Sequence, residues 1–183
     1  MKIPFDVSYY FDDRLRDIPN SPVQMQQAVN FLQSEFAKSS DNISQQIYLA
    51  GLIGGYTRML HDFEISEQAL NTALQLCDRI NDKRSKIANS IRLAHLYQWQ
   101  QKYELSEAWF DKILKQCKND SDLTSYLDFA YQHAGKCKCD RGKYKEAEYY
   151  FNRALEIRWQ KGDRSLIEST QLALNVVQKF MSK

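Results

Sequence analysis

Residues 135–155 read GKCKCDRGKYKEAEYYFNRAL, and this stretch decides the fold. Gly135 is followed nine positions on by Tyr144, twelve on by Ala147, sixteen on by Phe151, nineteen on by Ala154 and twenty on by Leu155. Counting outward from Ala94 gives Tyr103, Ser106, Phe110, Ile113 and Leu114 in the same places; counting from Gly54 gives Phe63, Ser66, Leu70, Ala73 and Leu74. The copies begin 40 and 41 residues apart, a period that belongs to arrays of helical hairpins and not to strands. The spacing has a physical reading. A small residue on the first helix lets the second approach to the 8–10 Å packing distance, a later small residue does the same from the other side, and the aromatics fill the space between.

The rest of the chain agrees with long helices. Gly and Pro together number 9 of 183, about 5% against a typical share of roughly 12%. All three prolines, Pro4, Pro19 and Pro22, lie at the N-terminal end, so nothing after Pro22 breaks a helix by ring closure. Polar turns at Asp62-Phe63, Gln101-Lys102-Tyr103 and Gly142-Lys143-Tyr144 split each hairpin, and Asn81-Asp82, Asn119-Asp120 and Gly162-Asp163 separate the copies. The expected helices are 21–38, 43–61, 64–80, 83–101, 104–118, 121–141, 144–160 and 164–181, with Ser21-Pro22 as a cap-plus-first-turn start. The predicted fold is all-α, a right-handed solenoid of about eight antiparallel helices. Repeats fall at about 43–80, 83–118 and 121–160, a capping helix covers 164–181, and a single domain spans 21–183 behind an N-terminal arm at 1–20.

Leu93-Ala94-x-x-Tyr97, and Gly135 followed by Gly142-Lys143-Tyr144-Lys145-Glu146-Ala147-Glu148-Tyr149-Tyr150-Phe151-x-x-Ala154-Leu155, resemble the tetratricopeptide-repeat (TPR) signature. The period near 40 is similar to the extended repeats of kinesin light chains and bacterial Rap-type peptide-sensing regulators. The resemblance implies a concave groove lined by the first helix of each hairpin. Two before, one after and four after the small residue lie Leu52, Gly55 and Arg58, then Arg92, His95 and Gln98, then His133, Lys136 and Cys139. Arg58, Arg92, His95, His133 and Lys136 make this lining partly basic, suited to an acidic peptide or carboxylate, with Trp99, Tyr97 and Tyr48 as stacking surface. The Lys/Asn set of a chaperone-tail clamp cannot be placed here. The expected function is a non-catalytic protein- or peptide-binding scaffold or adaptor; the alternatives are a cytosolic peptide-sensing regulator and an inhibitor or immunity-type partner protein.

Net charge is +2, from 25 Lys+Arg against 23 Asp+Glu, which gives no field that demands a nucleic acid or membrane. No uncharged stretch reaches the roughly 20 apolar residues of a membrane span, and the N-terminus lacks a secretory signal pattern, so a cytoplasmic location is expected. Cys77, Cys117, Cys137 and Cys139 read as reduced thiols. His133 and Cys137 share an i,i+4 face but no further ligands are evident, so neither metal nor cofactor is expected. Residues 1–20 carry Ile3, Phe5, Val7, Tyr9, Tyr10 and Phe11, too apolar to stay solvated. They are expected to cap the first hairpin, the rival being an arm that occupies the groove or a neighbouring subunit and so forms a homodimer.

Overall fold

The structure, a computed structural model, describes residues 1–182. A short antiparallel hairpin, β1 (Tyr9–Phe11) and β2 (Asp17–Pro19), precedes eight α-helices. These are α1 (Pro22–Lys38), α2 (Ile43–Met59), α3 (Phe63–Ile80), α4 (Lys83–Trp99), α5 (Tyr103–Asn119), α6 (Leu127–Asp140), α7 (Tyr144–Lys161) and α8 (Arg164–Met181). Each helix packs antiparallel on the next, while α2 touches α4, α4 touches α6 and α6 touches α8. Alternate helices therefore form one continuous wall. The body is the all-α solenoid that the repeated columns foretell.

Those columns sit where close packing needs them. A side chain at Gly54 would place its Cβ 2.5 Å from Leu70, and one at Gly135 would meet the Phe151 ring at 2.7 Å. Ala94 is fully buried. In two copies the second small residue is a serine with a further role: Ser66 donates to the Gly54 carbonyl and Ser106 to the Ala94 carbonyl, each at 2.7 Å. A hydroxyl that satisfies a helix carbonyl at the point of closest approach pins the register of both rods.

The turns repeat as faithfully. His61, Gln101 and Gly142, each seven residues beyond the small position, adopt positive φ of 64°, 60° and 80°. The next amide folds back in every copy: Asp62 to Thr57, Lys102 to Tyr97 and Lys143 to Lys138, at 2.8–2.9 Å. Between copies, Asn81 and Gly162 take the left-handed cap, and Asp82 and Asp163 each accept an amide of the following helix's first turn, as Asp62 does within the first hairpin.

The junction after α5 departs from the expected helix over 121–141. Asp120 is extended, its carboxylate accepts from the Asp122 amide at 3.1 Å, and residues Ser121–Tyr126 wind as a 3-10 helix before α6 begins. No left-handed residue closes α5, so the chain uses a tighter winding to turn. The second departure is the β-hairpin itself, within residues read only as an apolar arm.

Candidate functional site

The wall formed by α2, α4, α6 and α8 carries the residues read as groove lining, and the chain's own N-terminus lies across them. Ile3 packs against the Leu32, Leu49 and Ile53 cluster, and Phe5 meets Phe31 edge-on, so the first residues seat on α1 and α2. The hairpin then crosses the wall. Its loop is closed by Asp12, whose carboxylate accepts from the amides of Arg14 and Arg16 at 2.8 Å, and Leu15 takes positive φ at its tip. Leu15 is buried among Cys139, Ala147, Phe151, Ala173, Leu174 and Val177, at the far end of the solenoid. The arm thus spans from the first hairpin to the last helices.

Asp17 anchors the middle. Its Oδ2 meets Arg58 Nη2 at 2.7 Å and its Oδ1 meets Lys136 Nζ at 2.9 Å, with all three side chains buried. Burial alone would raise the Asp17 pKa, but Lys136 and Arg58 outweigh it and hold the carboxyl well below the usual range. Burial lowers Lys136, and Asp17 offsets part of that shift. Phe11 lies under the Lys136 ammonium at 4.0 Å, and the Trp99 ring sits between Arg58 and Arg16, at 4.6 and 5.3 Å. Arg16 Nη2 reaches Asp140 at 2.8 Å.

Of the residues named from sequence, Arg58, His95, Trp99 and Lys136 are buried, and Arg92 and His133 are half-buried. His95 and His133 lie ring to ring at 4.5 Å, and His95 Nε2 accepts from Trp99 Nε1 at 3.2 Å. Burial, then the cations around them, push both imidazole pKa values well below the ordinary one. Gln98 is buried, and its Nε2 donates to the Lys136 carbonyl at 3.4 Å. Leu52 and Cys139 pack into apolar clusters. Tyr97 turns away, to Glu67 and Trp109, while Tyr48 is exposed. The sequence reading offered the arm as a rival occupant of the groove but did not identify Phe11, Leu15, Arg16 and Asp17 as the side chains that dock it. One signal pointed to them, an acidic residue in an apolar arm facing a basic lining.

Among the described residues no group of His, Cys, Asp or Glu is placed to hold a metal, and no helix is long and apolar enough to cross a membrane. The four cysteines are buried free thiols.

Residues 84–158 match the tetratricopeptide-repeat family model. Two solved structures of the nearly identical TPR-like repeats of a protein described as a Podosopora anserina kinesin light chain are similar to this chain. One, of a singly substituted variant of those repeats, has a TM-score of 0.61 at 15% identity, and the other 0.60 at 14%; each likeness covers 87% of this chain and 80% of that one. No curated protein matches the sequence. The fold is TPR-like, of the kind found in kinesin light chains, and such repeats generally serve protein–protein interaction.

Proposed function

We propose that the chain is a non-catalytic TPR scaffold whose inner wall takes an extended, acidic segment of another protein, and that the N-terminal arm holds this place until the segment arrives. The observation that carries this reading is the Asp17 carboxylate held between Arg58 and Lys136, on a wall otherwise rich in cations and aromatic rings. An intramolecular occupant has the chemistry its competitor must have. A two-stranded hairpin is marginally stable on its own, so docking and not internal pairing keeps the arm in place. A basic lining closed by an acidic strap favours an acidic protein segment over nucleic acid. The same closure suits the regulator reading. We place the protein in the cytoplasm and expect the arm, docked on its own chain, to leave it monomeric.

The test uses the full chain and a synthetic peptide of residues 5–20. In the Asp17→Ala variant the arm loses its anchor, and Arg58 and Lys136 regain water once it lifts. The peptide then binds the variant at least tenfold more tightly than it binds the wild type. Adding Lys136→Glu removes that binding, because the clamp then presents an opposed charge. Amide exchange of residues 9–19 confirms that the arm has opened, and light scattering checks that the chain stays monomeric. Equal peptide affinity for wild type and an arm-open Asp17→Ala variant refutes the reading.

A further inference from the structure

Beside the arm, between α4, the 3-10 helix and α6, the wall holds a cleft of about 310 Å³ lined by Ala88, Ile91, Arg92, Tyr126, Phe129 and His133. Its lining includes no residue of the arm. Four of the six lining residues are apolar or phenolic, and the other two carry polar groups. Arg92 is the first. Its Nη1 donates to Asn89 Oδ1 at 2.9 Å, and among the described residues it has no carboxylate within ion-pair distance. Its surroundings make this unusual. Arg16 has Asp140, Arg58 and Lys136 share Asp17, and Lys138 has Glu107 and Glu146, all within 3.1 Å. Burial and the nearby Arg58 both lower the Arg92 pKa, and the groups opposing that shift are the phenols Tyr126, Tyr56 and Tyr48. A half-buried guanidinium facing a like charge, with no counter-ion, is a cost that the fold leaves standing. His133 is the second group: its Nδ1 is buried without a hydrogen-bond partner.

We propose that this cleft is a binding site for a carboxylate on a short apolar stem, the acid pairing with Arg92 and His133 Nδ1 and the stem resting on Ile91, Ala88 and Phe129. A planar guanidinium with free donors matches a carboxylate fork, and apolar walls around convergent polar groups are the usual make-up of a small-ligand site. Inorganic phosphate fits poorly, since the apolar walls cannot replace its hydration. The site is separate from the Asp17 clamp and does not require the arm to open.

The experiment titrates the full chain with benzoate, neutral benzamide and inorganic phosphate, following backbone amide shifts. Benzoate is expected to shift Ala88, Ile91 and Phe129 and to bind at least tenfold more tightly than benzamide or phosphate. Arg92→Lys, which keeps the charge but loses the fork, weakens benzoate about tenfold. The benzamide comparison needs no variant, so poor folding of an Arg92 substitution leaves the test intact. Benzoate and benzamide binding equally, phosphate competing as well as benzoate, or shifts outside the cleft each overturn the site. None of these outcomes bears on the arm, so the two readings fail separately.

Discussion

At the scale of single residues, the left-handed turn positions show where sequence and backbone disagree. Three copies need positive φ at the same place, yet Gly fills it only at 142, while His61 and Gln101 carry side chains there. Left-handed geometry costs an L-residue roughly 1–2 kcal/mol, partly returned in the unfolded state because glycine is the more flexible there. His61 has company, stacking near Phe63 and Trp99, but Gln101 is exposed. Gln101→Gly is therefore expected to stabilise the protein by about 0.5–1 kcal/mol, raising Tm by about 1–4 °C in calorimetry; a lowered Tm means the glutamine has a role the backbone angle does not reveal.

At the scale of elements, a buried charge network fastens the last three helices. Asp128 at the start of α6 is fully buried, accepting from Arg158 Nε at 3.1 Å and from Lys161. Arg158 of α7 also donates to the Leu166 carbonyl at 3.0 Å and to Thr170 Oγ1 at 2.6 Å, both on α8. Asp128→Asn leaves Arg158 buried without its counter-ion, and urea denaturation is expected to show a loss of about 3–5 kcal/mol. Amide protection in α8 should fall first, while the exposed Arg153–Glu156 pair can be removed without measurable change; a variant as stable as wild type means the network is redundant. None of this was legible beforehand. The helices were, because small and aromatic residues recur at fixed offsets and packing distance admits few alternatives. Asp128 and Arg158 lie outside those columns, and a pair 30 residues apart leaves no periodic trace. The 3-10 winding was hidden likewise, since Asn119-Asp120 resembles the Asn81-Asp82 and Gly162-Asp163 junctions in sequence, yet α5 closes without the left-handed residue that those junctions use.

At the scale of the whole molecule, the wall was readable, while its occupant was named only as the rival to a cap on the first hairpin and without the residues that dock it. Arg58, Arg92, His95, His133 and Lys136 follow from counting along helices, whereas the docking of Asp17 joins residues 41 and 119 positions apart through a segment outside the repeat. That docking places the two imidazoles in a cation-rich interior, with a consequence for pH. Both His pKa values are depressed in the folded protein, so the unfolded chain binds more protons from pH 6.5 downward. The stability they contribute is complete above about pH 6.5 and is lost as pH falls toward their folded values, at up to about 1.4 kcal/mol per pH unit for each. Asp17 behaves differently: its pKa is lowered, so its contribution persists until pH drops below the ordinary aspartate value of 3.8. Between about pH 7.5 and 5 the fold should therefore soften while the Asp17 ion pairs hold. Melting curves across that range are expected to show Tm falling, most steeply below about pH 6.5. The slope should flatten in the His95→Gln, His133→Gln double variant, whose amides stay neutral throughout. Amide exchange at residues 9–19, measured alongside, should show the arm closed down to about pH 5 in the wild type. Parallel slopes in the two proteins would mean that the imidazoles reach water more freely than their packing against Trp99 and each other implies.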